Sequence, residues 1–110
     1  MNKDRFGNPI HDGDIVFYVT NSQYTNERIG KVFFQKQGEL GMMADYCRTG
    51  GDMPPGSQDR QYFDQYFKPE RRWYSSSSVI VVTPLVPQAM MDKFDIAYDN
   101  WRKKHGNKEF

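Results

Sequence analysis

The sequence predicts a mainly β, α+β fold: a small, bent, mostly antiparallel β-barrel or half-barrel closed by one C-terminal amphipathic helix. Three observations carry this. Asp12-Gly13 turns the chain into the apolar β run Ile15-Val16-Phe17-Tyr18-Val19. A second run, Ile29-Gly30-Lys31-Val32-Phe33-Phe34, follows one loop later with a glycine near its start, the mark of a bulge or a sharp bend. Beyond Pro87, residues Met90, Phe94, Ala97, Tyr98 and Trp101 fall at i, i+4, i+7, i+8 and i+11, which is one helical stripe.

The elements follow in order. Arg5–Ile10 is a lead-in with a Gly7-Asn8 turn, and Pro9, lacking an N–H, keeps it at an edge or outside the sheet. In the first strand Ile15, Phe17 and Val19 share one face and Val16 and Tyr18 the other. Asn21–Asn26 is a polar loop with Tyr24 at its tip. Glu27–Lys36 is the second strand, Gln37-Gly38-Glu39 a tight connection, and Leu40–Asp45 the third strand. Residues 47–74 form an insertion whose first part is rich in glycine and proline. Within it, Tyr62, Phe63, Tyr66 and Phe67 sit at i, i+1, i+4 and i+5, predicting two short helical turns that end at Lys68-Pro69. Arg71–Tyr74 begins another strand, Ser75–Ser78 is a connector and Val79–Thr83 a buried strand. The helix runs from about 87 to 104, with Pro87 at its first position and Gly106 as its stop.

All 110 residues belong to one domain, because the chain has no room for two cores. Apolar residues are only 37 % of it, but aromatics are 15 %, so the core is small and aromatic-rich. The net charge of +1 argues against an indiscriminate duplex binder. Charge is nevertheless segregated: residues 1–59 hold six basic and eight acidic groups, residues 60–74 four and two, and residues 75–110 five and four. An anionic partner meets the second half first. Cys47 is the sole cysteine and no apolar run has the ~20 residues of a membrane span, which points to a reducing, cytoplasmic setting without a membrane partner.

The residues offer little for catalysis. His11-Asp12-Gly13-Asp14 reads as a turn rather than a metal site, since nothing elsewhere supplies matching ligands. Cys47 with His11 or His105 as its base is an enzyme hypothesis that a packing cysteine explains more simply. No phosphate-binding glycine loop or nucleophile elbow occurs. The expectation is no enzyme, no cofactor, no metal and no small-molecule substrate. The segment that stands out is 60–74, where Arg60, Lys68, Arg71 and Arg72 alternate with Tyr62, Phe63, Tyr66, Phe67, Trp73 and Tyr74. Three readings stay open. The aromatics cap an undersized core; or, with the arginines, they form a protein interface; or they stack on single-stranded nucleic acid at about 1–3 kcal/mol per base while the cations hold phosphates.

Gly13-Asp14-Ile15-Val16, a loop, and then Ile29-Gly30-Lys31-Val32 resemble the opening of SH3-like barrels of the KOW and Tudor kind over about residues 12–45. The lead-in Asp4–Ile10 before that motif also looks like small accessory proteins of large tailed phages. The resemblance implies a non-catalytic module that binds RNA, DNA or a transcription- or translation-related complex, with Tyr24 and Lys31 on the binding edge. The insertion 47–74 departs from a compact KOW unit and either covers that edge or replaces it. The binding residues expected are thus Tyr24, Lys31, Arg60, Tyr66, Lys68, Arg71, Arg72 and Trp73, in a monomer or weak homodimer. The alternative is a factor that binds and modulates a host protein without touching nucleic acid.

Overall fold

The computed structural model describes residues 1–20, 27–46 and 66–110. Six strands form one antiparallel sheet: β1 (Ile15–Val19), β2 (Glu27–Lys36), β3 (Glu39–Asp45), β4 (Phe67–Pro69), β5 (Tyr74–Ser75) and β6 (Ile80–Val81). Their order is β4-β3-β2-β1-β6, with β5 also on β3. β4 pairs with Met43–Asp45 and β5 with Glu39 and Leu40, so the two share the outer side of β3. The helix α1 (Gln88–His105) packs on this sheet, and no helix among the described residues is long and apolar enough to cross a membrane.

The strand alternation divides the core into two layers. On one face lie Ile10, Val16, Tyr18, Val32, Leu40, Met42, Ala44 and Val79, with Tyr46, Tyr74 and Val81 packed against them. On the other, Ile15, Met43 and Phe67 meet Phe94 and Ala97 of α1. Coverage on both sides explains why β3 is buried at every position from Leu40 to Asp45 and reads as a nearly continuous apolar run. The first face needs no second sheet because the sheet curls. Tyr74 reaches across to stack at 54° on Tyr18, centroids 4.6 Å apart, and its hydroxyl donates to the Val19 carbonyl at 2.7 Å.

The bend does not sit at Gly30. That residue is in regular register between Val16 and Ala44. It is glycine because a Cβ there would stand 3.3 Å from Met42 Sδ and from Tyr18 Cε1. The register slips three residues later, between Val32 and Phe34. The extra residue turns Phe33 and Phe34 toward the helix face together, where both meet Tyr98 and Phe110. Gly41 on β3 makes the room, since a Cβ on it would lie 3.2 Å from Phe34 Cβ and 3.3 Å from Trp73.

Other expectations are corrected by tertiary pairing. Tyr66 is helical as expected, but from Phe67 onward the turn expected through Lys68 is strand β4; its residues before Tyr66 lie outside the described residues. The strand expected over Val79–Thr83 shortens to Ile80–Val81. Val79 closes the 3-10 turn Ser76–Ser78. At the other end Val82 leaves the extended conformation for the proline-containing turn Thr83–Leu85. Pro87 is the N-cap of α1 rather than its first residue, and its carbonyl accepts from Met90 and Met91 N–H. Gly38 in the β2–β3 turn and Gly106 after α1 adopt positive φ, 79° and 74°, as turn and stop glycines do.

The lead-in is tied down by Asp4, which is 5 % exposed. Its carboxylate accepts from Phe6 N–H (2.9 Å), Asn8 N–H (2.8 Å), the Asn8 side chain (3.2 Å) and Val81 N–H of β6 (2.9 Å). Burial alone would raise this carboxyl, but the hydrogen bonds from Val81, Asn8 and Phe6 outweigh it and hold it below its ordinary value near 3.8. A depressed carboxyl stabilises the fold above the unfolded value and stops doing so as pH falls through the folded one. Asp4→Asn is therefore expected to cost about 1–3 kcal/mol at neutral pH. It should also flatten the loss of stability that the wild-type chain shows below about pH 4, in thermal melts run as a pH series.

Candidate functional site

At the end of the sheet where β3 finishes and β4 begins, three side chains and one backbone N–H converge on one carboxylate. Glu70 follows β4, and its backbone N–H donates to Met42 O at 2.9 Å, which fixes it beside the sheet. Its carboxylate accepts from the Tyr18 hydroxyl at 2.5 Å, the Tyr46 hydroxyl at 3.2 Å, Arg28 Nη1 at 3.4 Å and Arg71 N–H at 3.3 Å. Register brings these together: Arg28 of β2 stands opposite Tyr18 of β1, and Tyr46 lies just past β3. The Arg28 guanidinium lies 4.0 Å from the Tyr46 ring centroid, a cation–π contact that adds to the ion pair.

This cluster is nearly dry. The Arg28 and Glu70 side chains are 10 % and 9 % exposed, and Arg28 Nε finds no hydrogen-bond partner. Burial first, and then the Glu70 charge, push the Tyr46 phenol up to about 12 and move Tyr18 upward as well. Both phenols remain protonated at neutral pH and donate to Glu70.

Around this hub the structure distributes the residues that the sequence singles out. Lys68, Arg71 and Arg72 are exposed. The Lys68 Nζ stands 5.3 Å over the Tyr46 ring, and Arg71 is near enough for its charge to bear on the Tyr46 phenol. No ion pair engages Lys68, Arg71 or Arg72 among the described residues. Lys31 is elsewhere, on the helix face in an ion pair with Asp95 of α1. Tyr66 and Trp73 are also turned to the helix face. Tyr66 packs on the Phe94 layer and gives its carbonyl to Tyr46 N–H at 2.7 Å. Trp73 lies against Gly41, with Lys36 Nζ 4.1 Å over its ring. Tyr24, Cys47 and Arg60 lie outside the described residues.

The aromatic and basic residues of 66–74 thus separate, with the rings in packing and the cations at the surface. Comparison with family models, with curated proteins and with solved structures returned no match. The site is therefore read from its own chemistry. Sequence reasoning missed Arg28, Glu70 and Tyr46. The available signals were an arginine leading an apolar strand and a single acid inside a basic run.

The Asp12–Asp14 turn has a structural occupation of its own. Asp14 accepts from Thr83 Oγ1 at 2.7 Å and from His11 N–H at 2.8 Å, while Thr83 Oγ1 accepts from Ile15 N–H at 3.0 Å. These bonds clamp the start of β1 to the turn that follows β6. A shallow groove of about 670 Å³ opens beside it, lined by Asn2, Ile10, His11, Gln35 and Lys36 among others. Its amides are engaged with the protein: Gln35 donates to Asp12 and Ile10, and Asn2 to Gln35 and Lys36.

Proposed function

We propose that the chain is a non-catalytic binding module on an SH3-like, KOW-type barrel, of the kind that small accessory proteins of tailed phages carry. It contacts nucleic acid, free or within a transcription- or translation-related complex, through Lys68, Arg71 and Arg72. The observation that carries this reading is the state of Glu70. The one acid within the basic run is consumed by Tyr18, Tyr46 and Arg28, so it leaves three cations in five residues un-neutralised at the surface. The curl that joins Tyr74 to the end of β1 supports the barrel part.

Because Tyr66 and Trp73 serve packing, the contact is with phosphates more than with bases, and it is tolerant of sequence. Three phosphate contacts on a single strand give a slope of about −2 in log K against log salt. Arg71→Ala with Arg72→Ala is expected to reduce that slope to about −0.7 and to weaken binding uniformly across oligonucleotide sequences, read by fluorescence anisotropy. Binding that ignores salt, or a slope unchanged in the double variant, refutes the assignment.

A further inference from the structure

Beyond α1 the chain returns to the aromatic face of the sheet. Asn107, Lys108 and Glu109 are exposed, and no hydrogen bond, ion pair or ring contact among the described residues holds them. Phe110 is held. Its ring meets Trp101, Phe34, Tyr98 and Phe33 edge to face, with centroids at 4.8, 5.2, 5.8 and 6.0 Å. Its backbone oxygen accepts from Trp73 Nε1 at 3.2 Å.

The walls of this socket also contact one another. Phe33 stacks on Tyr98 at 4.0 Å and 11°. The β2 bulge sets Phe34 beside Gly41, and Trp73 fills the rest of the space that Gly41 leaves. Trp101 stacks on His105 at 4.7 Å. Each wall is fixed by a strand, by α1 or by another wall. A ring that enters edge-first on a three-residue exposed tether, with its own carbonyl caught by an indole N–H, docks as a bound peptide does. Lys36 Nζ stands 4.1 Å over the Trp73 ring at the edge of the pocket.

We infer that the pocket formed by Phe33, Phe34, Trp73, Tyr98 and Trp101 is a recognition site for an extended protein segment bearing a phenylalanine, with Phe110 occupying it in cis as a competing plug. This surface lies on the face opposite the Glu70 hub and stands independently of the nucleic-acid reading. A short flexible tether supplies an effective concentration of about 1 mM or more. A partner segment therefore enters only if it binds the pocket well enough to displace the tail, which makes the site gated.

The test uses the whole chain carrying Phe110→Ala and the acetylated peptide Gly-Asn-Lys-Glu-Phe. Tryptophan fluorescence is the readout, since Trp73 and Trp101 both touch Phe110. The variant is expected to bind the peptide saturably and at least about tenfold more tightly than the wild-type chain. The same peptide with alanine for phenylalanine should not bind. A second chain keeps Phe110 but carries a ten-residue Gly/Ser insertion after Gly106. Its lower effective concentration is expected to place its peptide affinity between the other two, and it decides the matter if Phe110→Ala fails to fold. A folded Phe110→Ala chain without saturable binding, or equal affinity of the wild-type and insertion chains, overturns the inference.

Discussion

Replacing Glu70 with alanine is expected to cost about 3–5 kcal/mol of folding stability, read as a fall in the urea midpoint at unchanged slope. The cost comes from what is left behind. Arg28 is 10 % exposed and already has one unpaired N–H, and without Glu70 its whole charge is buried without a counter-ion. Tyr18 and Tyr46 lose their shared acceptor at the same time. Glu70→Gln keeps an oxygen for the phenols but not the charge, so it should fall between. Arg28→Met combined with Glu70→Leu should recover the part of the loss that comes from the orphaned charge, but not the part that comes from the Tyr18 and Tyr46 hydroxyls, which still lack their acceptor. A loss under about 1 kcal/mol for Glu70→Ala would mean that the pair behaves as a solvent-screened surface bridge.

The second large effect is expected at Phe94. Its side chain is fully buried, edge to face on Phe67 of β4 with centroids 5.4 Å apart, in the layer that also holds Ile15, Met43 and Ala97. Phe94→Ala is expected to cost about 3–5 kcal/mol through lost transfer energy and the cavity that remains. The loss should also undock α1. An 18-residue helix bears its stability mainly through tertiary packing, so helical circular dichroism should melt earlier than the sheet signal. Phe94→Leu should retain most of the stability. Coincident melting at the wild-type temperature in Phe94→Ala would show that Met90, Tyr98 and Trp101 suffice to hold the helix.

Much of the scaffold was legible because its signals are local. The alternation in Ile15–Val19, the period from Met90 to Trp101, and the glycines at 38 and 106 each state their own conformation. The errors share one cause, which is that the deciding partner is distant in the chain. Gly30 looks like a bend when read alone, yet the bend sits at Phe33, where Gly41 on the neighbouring strand leaves space. The helical spacing of Tyr66 and Phe67 holds at Tyr66, but pairing with Met43–Asp45 takes Phe67 into β4. Glu70 reads as one more exposed charge until Arg28 and Tyr18 arrive from 42 and 52 residues away. Lys31 reads as part of a binding edge until Asp95 of α1, 64 residues away, takes it into an ion pair. The surface proposed for binding was legible as composition, in the basic residues 68–72. Its geometry was not, because Trp73 packs against the distant Gly41 while Lys68 pairs in β4 beside the Tyr46 ring.

The Asp4–Val81 bond carries a consequence for how the molecule is made. β1 finds β2 close by, but its other neighbour is β6, and the arm before it is anchored by an N–H that lies 77 residues further on. During synthesis the β1–β2–β3 meander emerges with one flank of β1 bare and its lead-in untethered. It waits for Val79–Val81, and then for α1 to cover the second face. Residues 1–45 thus form a template that is completed by Val79–Val81 and α1, which are made after it. Such long-range closure favours slow folding and leaves an open strand edge in the nascent chain.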